Sequence, residues 1–319
     1  MSPLTALEPR IAVLLPCFNE AAAIAGVVES FRAALPGAEI VVIDNRSTDD
    51  TAAVARAAGA AILEEPLRGK GNVLRRAFAE VEADVYVIAD GDGTYDAARA
   101  PEMVALLGRD RLDMVVGVRV DCGGKEYRAG HRGGNRLFTL AVGRLFGRRF
   151  TDIFSGYRVL SRRFVKSFPA ISRGFEIETE LTVHALQLRL PCAEVETAYG
   201  ERVAGTESKL NTYRDGLRIL WHVVKFTMVY RPIIFYGAWA GLLTLGSLGL
   251  GLPVVATFLE TGLVPRLPTA LLATGLMLMA AVGLVTGVIL HTVSHGQRET
   301  KRLFYLMAGA ARGDGPSGR

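Results

Sequence analysis

The amino-acid sequence predicts an α/β domain with a mostly parallel sheet covered by helices on both faces, followed by two membrane-spanning helices. Short β-branched runs alternate with helical patterns through the N-terminal third of the chain, and two long stretches near its end hold no Asp, Glu, Lys, Arg or His. The mean hydropathy of +0.26 is high for a chain of which 22% is charged, so two compositions are averaged. With 319 residues, 35 glycines in no period and 3 cysteines, the chain is neither collagenous, disordered nor a disulfide scaffold.

The elements follow in order. Residues 11–15 form a strand, and the apolar positions of 21–35 repeat at helical spacing. Next come a strand at 40–43, a helix at 50–58, a strand at 61–63, a helix at 71–81 and a strand at 85–89. Runs that are apolar throughout suit strands buried on both faces, and in such sheets ligands bind beyond the carboxyl ends of the strands. Residues 232–259 and 267–290 each exceed the roughly 20 apolar residues needed to cross a bilayer core of about 30 Å. Between them, Glu260, Gly262, Pro265 and Arg266 supply a short polar turn.

Lys209, Arg214, Arg218, Lys225 and Arg231 precede the first span, and Arg298, Lys301, Arg302 and Arg312 follow the second, against Arg266 alone in the turn. Both termini are therefore expected on the cytosolic side of the cytoplasmic (inner) membrane. Residues 1–10 have none of the features of a signal peptide, and the unpaired spacing of Cys17, Cys122 and Cys192 agrees with a reducing compartment. The expected divisions are a cytosolic domain over 1–210, an interfacial amphipathic helix region over 211–231, a two-helix transmembrane hairpin over 232–293 and a cytosolic tail over 294–319.

Three strand ends carry polar chemistry: Pro16-Cys17-Phe18-Asn19-Glu20, Asp44-Asn45-Arg46-Ser47-Thr48-Asp49 and Asp90-Gly91-Asp92. Side by side on one sheet edge they gather Glu20, Asp44, Asp90 and Asp92, a costly arrangement unless the carboxylates bind hydroxyls, a cation or both. A ribose diol suits Asp44 or Glu20, and two aspartates one residue apart suit a hard divalent ion with positions left for phosphate oxygens. Taken singly these fragments read as polar turns or caps, Asn19 or Ser47 capping a helix. Arg68-Gly69-Lys70-Gly71-Asn72 adds a basic, Gly-rich loop opening a helix, which suits an anion but lacks the P-loop spacing.

In this order the features resemble the family 2 glycosyltransferases, through Pro16, Asn19 and Glu20, then Asp44, Ser47, Asp49 and Thr51, then Asp90 with Asp92. The resemblance implies a GT-A-type nucleotide-sugar-binding domain. Pro16, Asn19, Glu20 and Asp44 would contact the nucleotide, Lys70 would lie near it, and Asp90 and Asp92 would hold Mg²⁺ or Mn²⁺ against the diphosphate. Further motifs lie at residues 127–135, 151–158, 174–180 and 199–209. They narrow the resemblance to the polyprenyl-phosphate branch, which includes dolichol-phosphate mannose synthases and bactoprenol-phosphate glucosyltransferases. Thr94 departs from the Gln many mannose synthases carry two positions after the second metal aspartate, and Asn45 stands where many members have Asp. The first leaves the third metal ligand open, and the second bears on base or sugar preference.

Arg128, His131, Arg132, Asn135 and Arg136 crowd one short segment, with Arg148, Arg149 and Arg158 close behind. Arg suits bidentate contact with phosphate, so Arg128, His131, Arg132, Asn135 and Arg158 are the expected acceptor-phosphate contacts; a basic face resting on anionic headgroups accounts for part of the cluster. Apolar and basic residues mix over 211–230, as in an interfacial helix.

The expected reaction is in-line displacement at the anomeric carbon by an oxygen of polyprenyl phosphate, with inversion implied by the resemblance. A phosphate monoester is largely ionised at neutral pH, so leaving-group stabilisation is the main task. Asp92 and the metal serve it, with Arg202 and Lys209 clamping the diphosphate; Arg128 and Arg132 act on the acceptor. Asp152, Glu176 and Glu178 orient sugar hydroxyls or cap structure. The alternatives are transfer to a glycan or glycerolipid and a non-catalytic nucleotide-sugar-binding protein; a processive synthase would carry Gln-x-x-Arg-Trp, absent around Trp221 and Trp239. The expected partners are a UDP- or GDP-hexose, polyprenyl phosphate and the membrane. Nucleic acid is not among them, and self-association into a homo-oligomer is left open.

Overall fold

The computed structural model describes residues 9–121, 150–174, 176–200, 224, 227–229 and 231–310. Strand β1 (Ile11–Cys17) is the centre of the sheet's first half, and its Ala12, Val13, Leu14 and Leu15 have no exposed surface. Chain order continues with α1 (Ile24–Ala34), β2 (Glu39–Asp44), α2 (Thr51–Ala57), β3 (Ala61–Glu64), α3 (Lys70–Glu80) and β4 (Val85–Ile88). After a 3-10 turn at Ala97–Arg99 come α4 (Ala100–Arg109), β5 (Met114–Asp121), β6 (Arg158–Ser161), α5 (Arg162–Ser167), α6 (Ile177–Leu188) and β7 (Cys192–Tyr199).

The seven strands lie in the order β3-β2-β1-β4-β6-β5-β7, parallel except that β6 runs antiparallel to both β4 and β5. Helix α1 buries Ile24, Val27, Val28 and Phe31, the i, i+3, i+4, i+7 stripe of a helix lying on a sheet. It begins later than the spacing predicts, because residues 21–23 form a turn in which the N–H groups of Ala23 and Ile24 both reach the Glu20 carbonyl. Register fixes what meets at the carboxyl edge: Cys17 pairs with Asp44, so β1 and β2 end together, and β4 stops beside them with Ile88 opposite Leu14.

Helix α6 is enclosed almost all round, and His184 on it is 1% exposed. The Ser167 hydroxyl donates to the Phe164 carbonyl at 3.0 Å, so its contact with His184 Nε2 at 3.1 Å has the imidazole donating. His184 Nδ1, the unprotonated nitrogen, is enclosed without a hydrogen-bond partner. Burial lowers the His184 pKa from its ordinary 6.5 to about 3, with repulsion from Lys301 adding to it. The imidazole is therefore neutral when folded, and its contribution is present above pH 6.5 and lost as pH falls toward 3. Stability is expected to drop by about 2 kcal/mol between pH 7 and pH 5 from this group, and the His184→Phe variant should show a flatter pH dependence of urea unfolding. An unchanged slope in that variant counts against the assignment.

The chain forms two compact units, Met1–Thr212 with Lys301–Arg319, and Tyr213–Thr300. In the first, the Tyr305 hydroxyl donates to the fully buried Asp113 at 2.8 Å, Arg163 donates to the same carboxylate and lies over the Tyr305 ring, and Ser161 completes the cluster. The second unit carries α7 (Pro232–Thr261) and most of α8 (Leu267–Ala310), both long and apolar enough to cross a membrane. Gly262, in the left-handed region at φ +67, ends α7 where the sequence places the turn, and the Ser247 hydroxyl donates to the Ala273 carbonyl across the hairpin at 2.7 Å. Helix α8 runs well past residue 290, since the charged residues that end the apolar run are good helix formers.

Candidate active site

The edge where β1, β2 and β4 end gathers the four carboxylates expected there. Cys17 marks their convergence: burial pushes its thiol pKa well up, and the charges of Glu20, Asp44, Asp90 and Asp92 all add to the shift. Backbone and side chains interlock the two loops beyond β1 and β2. Asn19, at φ +59, accepts from the Thr48 N–H at 2.8 Å, and its own N–H reaches the Ser47 hydroxyl at 3.0 Å. Glu20 N–H donates to Thr51 Oγ1 at 2.9 Å, and that hydroxyl donates to Asp49. Asp44 accepts the Ser47 N–H. Asn19, Ser47, Asp49 and Thr51 thus shape the edge, while the Glu20 and Asp44 carboxylates belong to the convergent set.

Asn45 has a definite task. Its amide donates to the carbonyls of Glu65 and Leu67 at 3.0 and 2.8 Å, and its oxygen accepts the Gly69 N–H at 2.7 Å. A carboxylate donates nothing, so Asp at this position cannot make the first two bonds. Asn45 therefore anchors the basic loop. Gly69 (φ +123) and Gly71 press against the carbonyls of Arg173 and Ser172, leaving no room for a Cβ, and Gly71 N–H donates to Arg173 O at 3.1 Å. Glu180 holds the same 171–172 segment by accepting the N–H groups of Ile171 and Ser172 at 3.0 and 2.8 Å.

This loop delivers Lys70, the first residue of α3, between Asp90 and Glu178, its ammonium 2.7 Å from Glu178 Oε1 and bonded to Asp90 Oδ1. Burial by itself disfavours the ammonium, but Asp90 and then Glu178 outweigh it and raise the Lys70 pKa, so it stays charged. Gly156 lies against the pair: a Cβ there would stand 2.9 Å from Lys70 Nζ and 3.0 Å from Asp90 Oδ2. The Gly156 N–H is taken by the Tyr95 hydroxyl at 2.9 Å. Asp92, 6% exposed, accepts from Thr94 Oγ1 at 2.6 Å and from the Thr94 N–H. Thr94 thus fixes the orientation of the Asp92 carboxylate.

Several expectations need relocating. Arg158 does not face a phosphate: it has no exposed surface, and its guanidinium is spent on Ser155 O at 3.0 Å, Ile153 O at 2.7 Å and Thr182 Oγ1 at 2.9 Å. Glu176 stands exposed at the N-cap of α6 without a capping bond, whereas Glu178, two residues on, turns inward to Lys70. Asp152 is 5% exposed and paired with Arg119 at 2.7 and 2.9 Å, with Arg119 over the Tyr199 ring. Pro16 lies within β1, paired with Ile43. Arg128, His131, Arg132, Asn135, Arg202, Lys209 and Cys122 lie outside the described residues, as does most of the expected interfacial helix.

Among the described residues no cluster of three or more His, Cys, Asp or Glu side chains could hold a metal. Asp90 and Asp92, two carboxylates one residue apart with the Asp90 side chain a third exposed, are the donor type a hard divalent ion takes, and they would hold one only together with ligands from outside the described residues.

Comparison with known proteins agrees with this geometry. Residues 12–168 match glycosyl transferase family 2. The chain is 33% identical over 250 residues to the glycosyltransferase AglJ of Haloferax volcanii, covering 76% of this chain and 80% of that one. It is 28% identical over 222 residues to a dolichyl-phosphate hexose transferase of the same organism, covering 69% and 95%. Among solved structures it is similar to glucosyl-3-phosphoglycerate synthase of Mycobacterium tuberculosis in complex with Mn²⁺, UDP and glucosyl-3-phosphoglycerate, with a TM-score of 0.54, 25% identity and coverage of 69% and 79%. With a GT-A-like fold, an acidic strand edge and these relatives, the chain belongs to glycosyl transferase family 2.

Proposed function

We propose that the protein transfers a hexose from a nucleoside diphosphate sugar to a polyprenyl phosphate, working from the cytosolic face of the cytoplasmic membrane with both termini on that side. One observation carries the reading: a chain whose sheet edge joins Asp44, Asp90, Asp92 and Lys70 continues into two helices able to cross a membrane. A dolichyl-phosphate hexose transferase among the relatives supports the lipid acceptor.

Glu20 and Asp44 hold base and ribose, beside Pro16 and the loop that Asn19 shapes. Asp90 and Asp92 hold Mg²⁺ or Mn²⁺, which when bound neutralises the departing nucleoside diphosphate. Lys70, Arg202 and Lys209 add positive charge to that group. Glu178, with one enclosed oxygen lacking a hydrogen-bond partner, offers an acceptor to a sugar hydroxyl. Arg128, His131, Arg132 and Asn135 hold the acceptor phosphate, whose ionised oxygen attacks the anomeric carbon and releases the diphosphate.

The test offers membranes containing the protein a panel of labelled UDP- and GDP-hexoses with polyprenyl phosphate. Label that becomes lipid-extractable and acid-labile with one donor is expected. Label found only in a glycan, a glycerolipid or a water-soluble acceptor such as phosphoglyceric acid overturns the lipid-phosphate reading.

A further inference from the structure

Lys70 sits on a carboxylate that the proposed metal also needs. Its side chain is 8% exposed and that of Glu178 6%, whereas Asp90 is 32% exposed, so the ammonium holds Asp90 from the enclosed side and leaves the other side open. The position is built. Asn45 anchors Gly69, the Arg173 and Ser172 carbonyls press on Gly69 and Gly71, and Gly156 leaves space for the ammonium by lacking a Cβ. Every contact in this arrangement is made by the chain's own residues.

A divalent ion on Asp90 and Asp92 then shares a carboxylate with a fixed ammonium, and two cations a few ångströms apart in a partly enclosed site repel strongly. The repulsion is relieved when another anion draws the ammonium away. A nucleoside diphosphate is such an anion, since its oxygens take both the ion and an adjacent Lys.

We propose that Lys70 is a resident counter-cation that couples metal and donor binding: it occupies Asp90 and Glu178 in the free protein and moves onto the diphosphate when ion and nucleotide arrive together. The inference rests on reading Asp90 and Asp92 as a metal–diphosphate site. The chain thereby resists loading with metal alone. By linkage, the factor by which UDP tightens Mn²⁺ equals the factor by which Mn²⁺ tightens UDP, and Lys70 supplies part of it.

Direct bonding between ion and diphosphate also makes UDP tighten Mn²⁺, so the discriminating measurement is Mn²⁺ alone. Mn²⁺ binding to the purified full chain is titrated by electron paramagnetic resonance, without and with UDP, in wild type, Lys70→Gln and the double variant Lys70→Met with Glu178→Gln. The double variant leaves no buried carboxylate without its cation, so folding does not confound it. Lys70→Gln should bind Mn²⁺ alone about tenfold more tightly than wild type, and the tightening by UDP should shrink by a similar factor. The double variant should move in the same direction. Mn²⁺ affinity that is unchanged or weaker in both variants overturns the proposal while leaving the metal reading intact. Wild-type protein that binds no Mn²⁺ even with UDP overturns the metal reading, and the proposal with it.

Discussion

Replacing Asp92 with Asn is expected to cut sugar transfer about a thousandfold while the domain stays folded. The two halves of this expectation have separate causes. Asp92 is 6% exposed and accepts Thr94 Oγ1 at 2.6 Å and the Thr94 N–H at 3.2 Å, so its first task is to hold the turn after β4. The Asn amide oxygen accepts the same two hydrogens, and the turn survives. The negative charge does not. On the proposed metal reading, a neutral amide would leave Asp90 as the one charged ligand of the pair, and the diphosphate would lose its main source of neutralisation as it departs. Initial rates with a saturating donor, beside thermal unfolding of both proteins, separate the effects. Transfer within tenfold of wild type in a folded Asp92→Asn protein would remove Asp92 from the metal site.

The sheet edge was legible because parallel strands buried on both faces appear as unbroken apolar runs, and the residue after each run is then fixed by register. Cys17 opposite Asp44 is the direct outcome. The two apolar helices were legible for the same reason, length without charge. β6 was not: a strand of Arg158-Val159-Leu160-Ser161 has no run to betray it, and its antiparallel pairing to β4 and β5 is set by no local pattern. The Lys70–Glu178 pair was equally hidden. Both residues stand out as charges, but their meeting depends on the 171–173 segment folding over two glycines, a contact that neither local pattern contains. Among the acids that open α6, burial distinguishes Glu178 from Glu176, and helix phase alone left the choice open.

Arg158 shows how composition misdirects, and it yields the second large effect. An arginine following an arginine-rich segment reads as a phosphate ligand, yet this one is wholly enclosed. Burial lowers its pKa, opposed by the charges of Glu178 and Asp152, but a guanidinium stays protonated in a protein, so the charge must be satisfied in place. Its fork does so with the carbonyls of Ser155 and Ile153 and the Thr182 hydroxyl, which itself donates to the Glu178 carbonyl at 3.1 Å. It therefore ties the loop ahead of Gly156 to the helix that carries Glu178. Arg158→Met leaves those carbonyls buried without donors and is expected to cost about 4 kcal/mol, lowering Tm by about 10 °C. Arg158→Lys keeps the charge but has one nitrogen for three divergent acceptors, so it should recover less than half of that loss. An acceptor-phosphate ligand would behave in the opposite way, with Tm unchanged and the KM for polyprenyl phosphate raised. Thermal unfolding beside a KM measured on the folded fraction distinguishes them, and a stable Arg158→Met protein with a weakened acceptor KM would return Arg158 to the phosphate site.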